Sequence, residues 1–394
     1  MPNEPRFKYF LSSTNNSVQQ ESEIWNAFLP LNRMVFGKQP QPANGIAVTY
    51  GEYFDAVRSF LEKNRFETVR FAASQQANRD FKPEEIEKIS IYLEKHGEFY
   101  HPARIETVVP GLKILFVLNV AVSGAGRSCL IREYSLLQKM NNDFPFSFVP
   151  KVYGTGEVFT KDNHYISMFL GEWFEGFNEF HISRDPADGK NKIVVWDNQQ
   201  SNFFLSADQI MELYRQATMI LTSYYNIETF EQIFSWHHAA GDFVLRLQNN
   251  KIDLKLITVR QYTSIFEKKL TENSNRDVEL ILEALLVFFL NLSIRMRLDR
   301  LDGVGDIVWS DDIAVAGFLK GFFDGLALKA QISLLPAPID VCFLKYLALF
   351  TDTDLYDLSK DIINSYNPEA PEVPVIKQNL KRHIEVLHHT ICRV

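Results

Sequence analysis

The sequence predicts an α+β chain in which a β-rich part precedes a helical one, and three observations carry this. Strand-like runs crowd between residues 89 and 171. One helical stretch interrupts them, after the third run. Beyond residue 262 the apolar spacing is helical almost to the end. The expected organisation is an N-terminal extension, partly helical, over 1–85. A small lobe of five antiparallel strands with one helix follows over 86–172, and a large, mainly helical lobe covers 173–394.

Residues 1–45 are polar, with NNSVQQ and GKQPQPANG among them, and read as a loosely ordered lead-in with one short helix near 23–28. In TYGEYFDAVRSFLEK (49–63), Tyr53, Phe54, Val57, Phe60 and Leu61 fall at helical spacing. Pro83-Glu84-Glu85 suits a first helical turn. The runs ISIYLEK (89–95), ARIETVV (103–109) and ILFVLNVAVS (114–123) read as strands, separated by HGEFYHP and PGLK. Gly124-Ala125-Gly126 leads into a helix over 128–140, and strands follow at 151–159 and 164–171. The strand-like IVVW comes next, then a helix from Ser206 to about Tyr225, where Ser206 and Gln209 have the spacing of a capping box. FVLRL and IDLKLIT alternate apolar and polar around Gln248-Asn249-Asn250-Lys251, which predicts a hairpin. Helices are expected at 276–300, 313–329, 339–350 and 375–392.

A length of 394 residues allows two or three lobes, and 32 phenylalanines point to aromatic-rich cores. A net charge of −8 argues against a nucleic-acid binder held by a basic field. Cys129, Cys342 and Cys392 are odd in number and far apart, which fits neither a disulfide framework nor a zinc site and favours a reducing compartment. The N-terminal residues lack the apolar core of a signal peptide. The most apolar run, 280–294, is short for a bilayer and contains Glu283. A cytoplasmic protein without membrane or nucleic-acid partners is expected.

The order of these elements resembles the protein-kinase-like superfamily, and within it the aminoglycoside-phosphotransferase-like branch. The third strand ends Phe116-Val117-Leu118-Asn119-Val120-Ala121, and the helix after it carries Arg132-Glu133-Tyr134. Val149-Pro150-Lys151-Val152-Tyr153-Gly154-Thr155-Gly156 matches a passage of that family. Met168-Phe169-Leu170-Gly171-Glu172-Trp173 matches its hinge strand. The resemblance runs from about Ser90 to Thr258. It implies a two-lobed fold with an interlobe cleft, ATP and Mg²⁺ as cofactors, and a small-molecule or protein acceptor.

At the positions that the resemblance assigns to chemistry, several residues are exchanged. Asn119 stands where a strand lysine pairs with the helix glutamate, here Glu133. In register with the catalytic loop, Ser235 takes the place of the first histidine, His237 that of the catalytic aspartate, and Asp242 that of a metal-binding asparagine. Thr258 stands where a second metal-binding aspartate is expected, and HGEFYHP holds only Gly97 where a glycine-rich loop belongs. A shifted register, with Ala240-Gly241-Asp242 as the triplet, restores an aspartate but turns the alternating run 243–247 into loop.

The remaining candidates each admit two readings. His237, His238 and Asp242 form a rearranged phosphotransfer site, with His237 as base and Asp242 on Mg²⁺, or they only keep the loop's shape. A hydrolase metal site is disfavoured, because adjacent histidines point apart and no other ligand cluster supports one. Gly124-Ala125-Gly126 is a plain turn rather than a dinucleotide fingerprint. Glu133 orients Asn119 or lies on a solvated face, and Glu172 and Trp173 would meet an adenine through backbone groups. Arg295, Arg297 and Arg300 with Asp302, Asp306, Asp311 and Asp312 make ion pairs at a helix end or an acceptor surface. Arg246 and Arg260 bind an anion or pair with acids. These exchanges favour a pseudokinase-type binding or regulatory protein. The alternative is an atypical ATP/Mg²⁺-dependent phosphotransferase.

Overall fold

The computed structural model describes residues 6–12, 16–30, 48–97, 99–161, 163–197, 201–234, 236, 241–265 and 278–393. The chain divides into two units, one of Met1–Pro145 and Pro150–Glu175, the other of Phe146–Val149 and Gly176–Val394. Both mix helix and strand.

The first unit is built on a seven-stranded sheet. Its elements are β1 (Arg6–Leu11), β2 (Asn16–Ser17), α1 (Glu23–Asn26), α2 (Tyr50–Ala77), β3 (Lys88–Leu93), β4 (Ala103–Val109), β5 (Leu112–Ala121), α3 (Gly124–Asp143), β6 (Val152–Phe159) and β7 (Tyr165–Glu172). The strand order is β2-β1-β3-β4-β5-β7-β6, antiparallel except for the parallel pair β1–β3. The five expected strands are present, with α3 after the third. Two more come from the stretch read as a lead-in, which the local pattern could not show because β1 finds its partner some eighty residues later. Pro83–Glu85 forms a single 3₁₀ turn rather than a longer helix.

Strand alternation sorts the sheet's two faces. Phe116, Leu118 and Val120 of β5 and Ile166, Met168 and Leu170 of β7 join one core with Tyr53, Phe54, Val57, Phe60 and Leu61 of α2. The other face meets α3, where Tyr134 and Phe169 have ring centroids 5.7 Å apart. Helix α2 starts with a full capping box, Thr49 with Glu52, and is broken at Lys63–Phe66, where Asn64, Arg65 and Phe66 take positive φ. Gly154 and Gly156 of β6 lie under this helix, and a Cβ on either would fall 2.8 Å from Thr68 or Phe60 respectively.

In the second unit the helices are α4 (Ala207–Ser223), α5 (Val278–Arg295), α6 (Ile313–Ala327), α7 (Ile339–Leu347), α8 (Asp352–Asn364) and α9 (Glu372–Ile391). Its small sheets join β8 (Glu179–Arg184), β9 (Asn191–Trp196) and β10 (Phe203–Phe204), then β11 (Glu231–Phe234) with β14 (Gln261–Ser264). The others are the pairs β12 (Phe243–Gln248) with β13 (Lys251–Leu256) and β15 (Leu298–Arg300) with β16 (Ile307–Trp309). The expected Ser206–Gln209 capping box starts α4. The helix expected at 276–300 instead ends at Arg295, and the chain continues into β15. The pattern missed α8, whose buried stripe is only Leu355, Ser359 and Ile363. No helix among the described residues is long and apolar enough to cross a membrane.

Helices α4 and α6 meet along Gly317, Gly321 and Gly325, spaced four apart so that all three share one face. A Cβ at Gly321 would lie 2.0 Å from the carbonyl oxygen of Arg215, and one at Gly317 2.4 Å from that of Met211. Backbone thus packs on backbone. Gly321→Ala gains ~1 kcal/mol of helix propensity, but the carbonyl it meets is fixed in α4. A net loss of ~1–3 kcal/mol is expected in urea unfolding. An unchanged or raised midpoint would show that the two helices can move apart.

Candidate functional site

The hairpin of β12 and β13 is the best-defined piece of the candidate site. Its register pairs Phe243 with Leu256 and Gln248 with Lys251. Asn249 and Asn250 both take positive φ, which makes a type I′ turn of the twist that hairpins require. The amide of Gln216 on α4 donates to the Ile252 carbonyl at 2.7 Å and accepts from the Leu254 N–H at 3.0 Å, so it pairs with β13 as a strand would. At the open end the Ile257 N–H donates to the Asp242 carbonyl at 2.8 Å. That bond brings the 257–260 segment beside Asp242.

Asp242 is fully buried. Arg260 answers it with both terminal nitrogens. Nη1 donates to Oδ2 at 2.7 Å, and Nη2 lies 2.5 Å from Oδ1 as an ion-pair contact. Both carboxylate oxygens therefore face a guanidinium, while Arg260 keeps a partly exposed side chain. A buried carboxylate bound in this way is a poor ligand for Mg²⁺, which must displace a fixed cation. Thr258 is half-buried and brings no carboxylate. Trp236 is buried, with its ring edge-on to Phe243 at 6.1 Å. His237 and His238 lie outside the described residues.

The other candidates belong to the first unit. Asn119 is paired with Phe169 across β5 and β7, and directly opposite residues share a face, so it lies on the side that α3 covers. Glu133 of α3 is 3% exposed. It is a buried carboxylate, not part of a solvated face. Glu172 accepts from the Lys151 N–H at 3.1 Å, a structural bond at the end of β7. Trp173 has the Arg104 guanidinium 5.9 Å from its ring centroid, and Arg104 itself donates to Glu94 at 2.7 Å. Gly126 is required where the N-terminus of α3 passes the preceding loop, because a Cβ there would meet the Phe99 carbonyl oxygen at 2.3 Å.

The charged stretch around Arg297 turns inward. Arg297 donates to the Ser310 carbonyl at 2.7 Å and to Asp312 at 2.8 Å, and its Nη1 lies 3.3 Å from His383 Nδ1. Arginine has no acceptor, so His383 Nδ1 must present its lone pair and Nε2 must carry the proton toward Ser293 Oγ at 3.0 Å. Ser293 then donates to the Leu290 carbonyl at 2.8 Å. Burial, with the Arg297 charge beside it, holds the His383 imidazole down to about 3. Arg246 pairs with Asp253 at 2.8 Å and Arg295 sits 3.9 Å from Glu372, so these arginines also have acids at hand.

No family model matches this chain, and no curated protein matches it. Among solved structures it is similar to one described as WaaP in complex with acyl carrier protein. The two are 9% identical over 68% of this chain and 86% of that one, with a TM-score of 0.28. No residue role rests on a likeness of that depth.

Two predictions follow from this geometry. Arg260→Ala removes the guanidinium that both oxygens of the buried Asp242 carboxylate face, at a cost of ~3 kcal/mol in chemical denaturation. Adding Asp242→Asn to that variant should recover part of the loss, and no recovery would mean that Arg260 acts through packing. The second prediction concerns acid. His383 is depressed to about 3, and His101 of the first unit is likewise held at about 3 by burial and then by the neighbouring His96. The unfolded chain binds protons at these residues from about pH 6.5 downward, where the folded chain does not. Their stabilising contribution is complete above that pH and is lost progressively toward about 3. His383→Gln should flatten that acid limb in a pH series of denaturation midpoints.

Proposed function

We propose that this chain is a kinase-like protein of the pseudokinase type, which binds a small molecule or a protein rather than transferring phosphate from a Mg²⁺-bound nucleotide. The order β3-β4-β5-β7-β6, with α3 between β5 and β6, and the helices α4–α9 that follow support the kinase-like part of this reading. One observation carries the rest: both oxygens of Asp242 are engaged by Arg260. The donor set does not fit Mg²⁺, since Thr258 supplies no acid and the carboxylate already has its cation. Asn119 adds no positive charge where phosphate oxygens would need one.

A binding role remains open to such a scaffold, because shape and backbone hydrogen bonding survive the loss of catalytic residues. The test is phosphoryl release from ATP with Mg²⁺, comparing the native chain with Asp242→Asn. The two should be equal and indistinguishable from buffer. Turnover by the native chain that disappears in Asp242→Asn would establish the atypical phosphotransferase instead.

A further inference from the structure

In the second unit, α8 and α9 follow each other across the connection 365–371 and pack together, and between them lies a groove of about 350 Å³. Tyr356, Lys360, Ile363 and Asn364 of α8 line it, with Lys377 and Leu380 of α9. We propose that this groove binds a small, soluble organic phosphate monoester, its phosphate at Lys360 and Lys377 and its apolar body on Ile363 and Leu380. The inference is independent of the pseudokinase reading, because neither helix contributes to the Asp242–Arg260 pair.

Helical spacing builds the site. Tyr356, Lys360 and Asn364 are four apart, so they stand one above another on one face of α8. Lys377 and Leu380, three apart, share a face of α9 in the same way. Ile363 and Leu380 are buried and form the floor, while Lys360, Asn364 and Lys377 are exposed at the rim and Tyr356 is half-buried between. The groove is thus apolar below and rich in hydrogen-bond donors above. Its volume lies at the lower end for small-molecule sites, which suits a ligand with a single ring as its body.

Charge selects the ligand. The chain as a whole carries −8, yet no acidic residue lines the groove, and among the described residues neither Lys360 nor Lys377 is in an ion pair. Two ammonium groups at one groove repel each other, and an anion between them turns that repulsion into two attractions. A phosphate monoester carries about −1.5 to −2 near pH 7 and has three acceptor oxygens, enough for both lysines together with the Asn364 amide. Lysine meets phosphate as a point charge and imposes no bidentate geometry, which suits an open rim. A neutral ligand of the same shape would leave both charges uncompensated, and bare phosphate would leave the apolar floor to water.

Phenyl phosphate is the probe, titrated calorimetrically into the full chain at low salt. A single saturable site is expected, with inorganic phosphate about fivefold weaker or more and phenol without measurable binding. Lys360→Ala and Lys377→Ala should each weaken phenyl phosphate roughly tenfold. Lys345→Ala on α7, which removes a lysine outside the groove, should leave it unchanged. All three lysines are exposed, so the variants are expected to fold, and their circular dichroism checks this. No saturable binding of phenyl phosphate, or binding that neither groove lysine changes, would overturn the proposal. Inorganic phosphate bound as tightly as phenyl phosphate would reduce the groove to an adventitious anion site and overturn it as well. Co-sedimentation with phosphatidylcholine vesicles containing phosphatidic acid is expected to be absent. Retention on them that depends on Lys360 and Lys377 would overturn the soluble ligand in favour of a lipid headgroup.

Discussion

A fully buried carboxylate must find its countercharge inside the protein, and for Asp242 that constraint shapes the whole base of the β12–β13 hairpin. Ionised and alone, it would destabilise the fold by several kcal/mol. Arg260 lies eighteen residues on in sequence. It reaches Asp242 because the type I′ turn at Asn249-Asn250 and the strand register return the chain to the same place. Gln216 holds β13 from α4, and α4 in turn is locked to α6 by backbone contact along the glycine stripe. Salt bridge, turn and helix packing are thus parts of one arrangement. The carboxylate is spent on holding it together.

The first unit solves a different problem. Its sheet packs against α2 on one face and, at β7, against α3 on the other, so β7 is buried along most of its length. A polar residue beside such a strand needs a reason, and Asn119 on the α3 face, in the same layer as buried Glu133, is the notable case. The same logic explains Gly154 and Gly156. These two glycines, spaced by two on one strand, are the small residues over which α2 lies close to β6.

Periodic features were legible in the sequence, and long-range partners were not. The five strands, α3, the Ser206 cap and the Gln248–Lys251 turn are local signals, and each is found where the pattern puts it. Strand β1 was invisible because RFKYFL alternates poorly and its partner is distant. Helix α8 was missed because only three residues of its stripe are buried, although Thr351 and Asp354 have capping-box spacing. The solvated-face reading of Glu133 failed because helical spacing shows which residues align but not how deeply a face is covered. The Asp242–Arg260 pair could have been found: extending the hairpin register past Phe243 and Leu256 brings an acid and a base to the same end. The Arg297–His383–Ser293 chain gave no such signal, since His383 on α9 lies 90 residues from Ser293 and 86 from Arg297 in sequence.

On the proposed pseudokinase reading, Arg260 holds the position at which Asp242 would otherwise hold a divalent cation. Mn²⁺ tests this directly, because its paramagnetic resonance spectrum distinguishes ion free in solution, ion on nucleotide and ion immobilised on protein. With ATP present, the native chain should add no immobilised Mn²⁺ attributable to Asp242, so the spectra of native and Asp242→Asn proteins should coincide. An immobilised ion bound by the native chain with ATP and lost in Asp242→Asn would contradict the account and return Asp242 to the role of a metal ligand.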